Sequence, residues 1–452
     1  MALGASAALE IALPFARMLL LSRALPLSEL GFASALTTAY ALYDQITDIA
    51  VHRYVYAEKR AHLEAALAGA HGLLALRGLL LAGAALALAP LAAALFGLSG
   101  GAGDFAALAG PLLIRGFEHL APKVAERDYR FGPQLRAGLF GAGLSLIGLV
   151  AALSLGREHQ ALTASLYGLA LGQTAASHFY AGAPYRLALS GPAFGKALRF
   201  GAPLMANGLG LAVAAQGDRV LVGALLGPET LGLYAVAMLA VLVPVTLVQR
   251  VMGALAGAAL YNARDDRSAK IRLIARAAPA VGALYACATL AGANVLIALV
   301  FGPRFVLPPL ALTLLCASAL PRIARAEPFT SLLLLDQRTR QAALGNLSAL
   351  AALVLSGALM LARPCAESAL VGRVIGEALA LAITFRLTRP LLGAAARDYL
   401  RALAASCALT LVASLARIGD LTVGLCAAFA CATALLALSR GPAAAIREGA
   451  PE

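Results

Sequence analysis

A succession of long apolar runs constrains this chain more than any other feature. Fourteen such runs are separated by short polar breaks, near residues 2–22, 32–54, 72–97, 105–124, 134–155, 161–181, 199–225, 232–258, 272–300, 305–334, 340–361, 366–388, 400–417 and 420–439. Each is close to the ~20 residues that carry an α-helix across a hydrocarbon core. With 61% hydrophobic and only 13% charged residues in 452, the chain holds more apolar side chain than one water-soluble core can bury. The runs are continuous rather than alternating, which excludes a transmembrane β-barrel. The sequence therefore predicts an all-α polytopic membrane protein with about fourteen transmembrane helices. The first run shows no cleavage site before Arg23 and is expected to stay as a helix.

Charge placement supports that count. The net charge of +13 is not spread as a nucleic-acid-binding face would require, and no nucleic acid partner is expected. Arg and Lys crowd every second loop: Arg53, Lys59 and Arg60; Lys123, Arg127, Arg130 and Arg136; Arg186, Lys196 and Arg199; Arg264 through Arg276; Arg338 and Arg340; Arg386 through Arg401; Arg440 and Arg447. The intervening loops hold only Arg23, Arg157, Arg304, Arg363 and Arg417. By the positive-inside rule both termini lie in the cytoplasm. One miscounted helix would invert every later loop and destroy the pattern. The six Cys form no CxxC, so neither a disulfide framework nor a metal site is expected. No GxGxxG, DxD or paired-histidine motif appears in a loop, and His119 and His178 stand isolated within spans. No catalytic function and no cofactor are expected.

An internal repeat organises the chain. Ala24-Leu25-Pro26-Leu27-Ser28-Glu29-Leu30-Gly31-Phe32 follows the first run, and Ala224-Leu225-Leu226-Gly227-Pro228-Glu229-Thr230-Leu231-Gly232-Leu233 follows the seventh. Phe96-Gly97 ends the third and Phe301-Gly302 ends the ninth. An even number of spans separates the members of each pair, so the two halves share one orientation and relate by an axis along the membrane normal. The segment Gly217-Asp218-Arg219 through Leu233-Tyr234, with Arg23, the Glu29-to-Phe32 motif, Asp48 and Phe301-Gly302-Pro303-Arg304-Phe305, resembles the polysaccharide-biosynthesis and O-antigen-type oligosaccharide flippases. Their superfamily also holds lipid II flippases and multidrug extruders. The resemblance implies two pseudo-symmetric six-helix lobes, at residues 1–182 and 199–389, joined by a cytoplasmic linker at 183–198. Two further helices and a cytoplasmic tail occupy 390–452. It also implies a cell inner (cytoplasmic) membrane location and alternating access. The implied cargo is a polyprenyl-pyrophosphate-linked oligosaccharide bound for surface polysaccharide or lipopolysaccharide. Polysaccharide assembly proteins are the implied partners beside membrane lipid, and a multidrug or cation antiporter is the alternative within the superfamily.

Charge inside the spans points to the working residues, because an ionised side chain at bilayer depth costs ~2.5–3.5 kcal/mol on insertion scales. Arginines outnumber acids there. Arg keeps its charge and grips phosphate oxygens with a planar fork, which suits a pyrophosphate cargo. Arg17, Arg115, Arg219, Arg322 and Arg325 are the expected cavity cations. Arg17 and Arg219 lie in matched spans one and seven, and Arg115 lies in span four, which matches the span ten of Arg322 and Arg325. Asp44, Asp48, Asp218 and Glu118 are the acids that could couple transport to an ion. Three structural pairings compete with these roles. Arg373 and Glu377 are spaced as an ion pair on one helix, Arg115 and Glu118 could neutralise each other, and Arg77 and Arg250 are placed to snorkel. Prolines at 308, 309, 321 and 328 predict a broken span ten.

Overall fold

The computed structural model describes residues 2–46, 51, 54–55, 58, 62–98, 100–128, 130–261, 266–336 and 338–418. Among these the chain is helical, without strands, as the apolar runs predict. The helices are α1 (Ala2–Ala24), α2 (Leu27–Ile46), α3 (Leu63–Leu95), α4 (Ala102–Ala107), α5 (Ala109–Arg115), α6 (Ala121–Ala125), α7 (Gly132–Ser154), α8 (Ala161–Phe179), α9 (Pro192–Tyr261), α10 (Arg267–Val300), α11 (Pro309–Ala326), α12 (Phe329–Leu335), α13 (Thr339–Leu347), α14 (Leu350–Ala362), α15 (Ala366–Leu392) and α16 (Ala395–Ile418). Seven helical stretches among the described residues are long and apolar enough to cross a bilayer: Leu63–Leu95, Gly132–Ser154, Ala212–Tyr261, Arg267–Val300, Arg340–Ala362, Ala366–Leu392 and Ala395–Leu415. Their outer surfaces are oily. Leu79, Leu80, Leu296, Leu299, Val354, Leu361 and Val412 are all exposed, an arrangement stable only against lipid. The fourteenth predicted span and Asp48 lie outside the described residues.

Three helix boundaries each have a local reason. Predicted spans seven and eight are two helices that meet within α9 at Gly227, whose φ of 82° suits glycine and is not helical. Span ten breaks between α11 and α12 at Glu327-Pro328, as its prolines predict. Span four is also broken, into α4, α5 and α6, where the sequence predicts one helix. Gly116 and Pro122 flank that second break. The two broken spans are repeat partners, and each leaves an arginine in the last turn before the break: Arg115 in α5 and Arg325 in α11. A cation there suits the negative end of the helix dipole.

The chain divides into two compact units, residues 1–236 and 237–452. In the first unit the two copies of the repeat motif pack on each other. A side chain at Gly31 would collide with the Pro228 backbone, and one at Gly232 would meet Gly31 N and Leu27 O at 3.0 Å. The Leu-Gly pair that betrays the repeat in sequence is thus a backbone-to-backbone seat in space, which explains why glycine stands in both copies. Below it, Phe96 of the second repeated motif packs against Gly223.

At another point of this unit His71, His119 and His178 converge on Tyr185, with ring centroids 4.4–5.5 Å from it. His71 Nδ1 donates to Arg186 O at 3.0 Å, while its Nε2 accepts from Leu120 N–H at 3.1 Å. His119 Nε2 donates to Ala183 O at 3.1 Å, while its Nδ1 accepts from Ala121 N–H at 3.0 Å. Only a neutral imidazole can donate and accept at once. The expectation that His119 and His178 are isolated is therefore corrected. They anchor the segment after α8, and no signal in a single sequence links positions 71, 119, 178 and 185. The second unit is centred on Phe329, Phe385 and Tyr399, whose rings pack within 5.0–6.2 Å of one another. Tyr399 also donates to Ala324 O.

Candidate functional site

The first unit carries cations at three places. Arg17, half-buried on α1, donates through Nε and one terminal nitrogen to Ser145 Oγ of α7, at 3.0 and 2.8 Å. Ser145 in turn bonds Ser165 of α8 at 2.7 Å. Neutral hydroxyls hold this guanidinium and orient it. Among the described residues no carboxylate forms an ion pair with it.

Asp44 of α2 lies between two arginines, with Arg77 of α3 at 2.9 Å and Arg115 of α5 at 3.0 Å. One carboxylate serves two guanidiniums, and the triad keeps a net positive charge. Glu118 pairs with Lys123 at 3.2 Å rather than with Arg115, and Arg77 reaches Asp44. Local spacing suggests partners on one helix, but the helix break turns Arg115 away from its own segment.

Asp218 and Arg219 on α9 do not simply neutralise each other. The Asp218 carboxylate accepts the backbone N–H of Arg219 and the Tyr234 hydroxyl, both at 2.9 Å. The Arg219 side chain reaches Gln216 Oε1 at 3.3 Å, and its Nε is buried without an acceptor.

In the second unit a cavity of about 230 Å³ opens beside the break in span ten. Arg322, Arg325 and Thr330 line it from the broken span, Gln249 from α9, Asn346 from α13 and Thr384 from α15. Arg325 is held by Glu377 of α15 at 3.3 Å and is nearly buried. Its Nε has no acceptor. Glu377 therefore closes an ion pair with Arg325, across two helices. Gln249 Nε2 donates to Arg322 O at 2.8 Å and fixes that end of the pocket. The sequence singles out the two arginines, but the neutral lining groups escape it. Gln249, Thr330, Asn346 and Thr384 carry no charge and so give no signal in an apolar run.

The first unit thus sets two arginines on one carboxylate at Asp44, and the second sets Arg322 and Arg325 side by side on one cavity. Among the described residues no cluster of His, Cys, Asp and Glu is arranged to bind a metal. The sequence of the chain matches the polysaccharide biosynthesis protein family over residues 20–306, more than half its length. The chain belongs to that family. No curated protein matches it. Among solved structures, this family member is similar to the lipid II flippase MurJ in an inward closed conformation. The TM-score is 0.67 at 12% identity, over 95% of this chain and 96% of that one. It is also similar to an inward-facing multidrug resistance MATE family transporter, with a TM-score of 0.53 at 15% identity, over 85% and 95% of the two chains. At such identities the likeness establishes the transporter fold of this family member and leaves its cargo to be argued from its own residues.

Proposed function

We propose that this chain is a flippase that moves a polyprenyl-pyrophosphate-linked oligosaccharide across the cytoplasmic membrane by alternating access, for surface polysaccharide biosynthesis. One observation carries the reading: Arg17 and Arg219 keep guanidinium charge at bilayer depth with no carboxylate paired to either among the described residues. The family membership and the fold shared with a lipid II flippase support it. A buried uncompensated cation is costly, and an anionic head group that enters beside it repays that cost. On this reading Arg17, Arg115, Arg219, Arg322 and Arg325 bind the pyrophosphate and the charged part of the cargo, while the lipid tail stays in the bilayer. Two six-helix lobes, at 1–182 and 199–389, would rock about the linker at 183–198, with both termini in the cytoplasm.

The test replaces Arg17, Arg219, Arg322 and Arg325 by Ala. Export of the glycan should stop while the protein still inserts at normal levels, and undiminished export would defeat the assignment. The alternative, a multidrug or cation antiporter, draws on the second structural likeness. It requires an acid open to a cationic cargo. Asp44 already serves two arginines, and Asp218 accepts Tyr234 and a backbone amide. Drug resistance on overexpression, lost in Asp44→Asn or Asp218→Asn, would favour that alternative.

A further inference from the structure

The first unit contains a charged cluster that the transport reading does not use. His159 sits on the short 3₁₀ turn Glu158–Gln160 between α7 and α8. Its Nδ1 lies 2.9 Å from Glu29 Oε2 on the first turn of α2, and its Nε2 lies 3.0 Å from Asp104 Oδ2 on α4. Opposite ring nitrogens thus reach carboxylates on two different elements. A neutral imidazole can donate to only one of them, whereas imidazolium donates to both. The ring also stacks on Phe32 of α2, centroids 4.0 Å apart and planes 22° apart. A cation over an aromatic face gains further.

The contacts continue inward. Phe32 meets Phe105 edge-on at 6.3 Å, Phe105 stacks on Phe96 at 5.9 Å, and Phe96 packs against Gly223 of α9. Glu29 and Phe32 also flank Gly31, the residue on which Pro228 and Gly232 rest. His159 therefore braces the glycine seat of the repeat from two directions.

We propose that charged His159 is a pH-sensitive clasp that ties together the turns around Glu29, Asp104 and His159 and steadies the Gly31–Gly232 seat. The charged groups around it favour the protonated form. Glu29 faces it from α2 and Asp104 from α4, and its own exposed turn adds Arg157 and Glu158. The last turn of α7 and the first of α8 bring no ionisable side chain. Burial by itself would depress the imidazole, but the hydrogen bonds and charges of Glu29 and Asp104 outweigh it and hold it above its ordinary value. A group raised in the folded state stabilises fully below its unfolded value, near ~6.5, and loses that contribution as pH rises through the raised value. The clasp is thus closed in acid and open in alkali. On the charge asymmetry of the loops it faces the extracytoplasmic side, where pH varies most.

The test is amide hydrogen exchange of the full chain in lipid nanodiscs between pH 6 and pH 9, corrected for the intrinsic rate. Amides 27–34 and 228–233 should lose protection by about two- to fivefold across that range, the scale of solvent-screened ion pairs. His159→Gln should show low protection at every pH, and His159→Arg high protection at every pH. Protection that does not change with pH in the wild-type chain, or a His159→Gln variant that keeps the wild-type pH dependence, overturns the proposal. The wild-type titration decides even if a variant fails to fold. Because no cargo is present, the result is independent of whether the chain proves to be a flippase.

Discussion

At the scale of single residues, the arginines divide by how their charge is met. Arg17 rests on hydroxyls, Arg77 and Arg115 share Asp44, and Arg325 is locked to Glu377. The last pair gives a sharp expectation. Arg325→Ala leaves Glu377, a buried carboxylate 6% exposed, without its ion-pair partner, which should cost about 1–3 kcal/mol because Arg322 and Arg373 still act on it. Arg325→Ala with Glu377→Ala should recover much of that loss, measured as the melting temperature of the purified protein in one detergent. A loss in the double variant equal to the sum of the Arg325→Ala and Glu377→Ala losses would mean that the pair does not act as a unit. That these arginines are special was legible in the sequence, since charge is rare in an apolar run. Which acid each one meets was not, because Asp44–Arg115 and Arg325–Glu377 are separated by 71 and 52 positions and depend on helix packing.

At the scale of elements, glycine and helix breaks decide the geometry. Gly31 and Gly232 let two backbones touch, and a methyl group at either has nowhere to go. Gly31→Ala or Gly232→Ala should destabilise by about 1–3 kcal/mol, the usual cost of overpacking. Ala at Gly83, around which there is open space, should be near neutral in the same thermal assay. Gly227→Ala tests the junction within α9 separately, since a φ of 82° costs an L-residue about 1–2 kcal/mol. The break in span ten was readable from its prolines. The break in span four carries a weaker signal, one proline and one glycine, and hydropathy averaged over a whole run hides it.

At the scale of the whole molecule, the chain is a helical membrane protein of the polysaccharide biosynthesis family whose long helices show Leu and Val on their outer surfaces. The charge asymmetry of its loops predicts a cytoplasmic C-terminus, so a fluorescent protein that folds only in the cytoplasm should light up when fused there. A periplasmic phosphatase fused at the same point should be inactive. The reverse result would invert every loop assignment.

The sequence by itself determined that this chain lives in a membrane, that it is helical, that short motifs recur along it, and that arginines stand inside its apolar runs. These are legible because hydropathy, charge and motif spacing are local along the chain and summed over many residues. Only the tertiary structure decided which charges are cancelled and which are not, where the repeat motifs touch, and that three scattered histidines form one cluster. Those outcomes depend on distances between helices far apart in sequence, and a few ångströms there separate an ion pair from a bare charge.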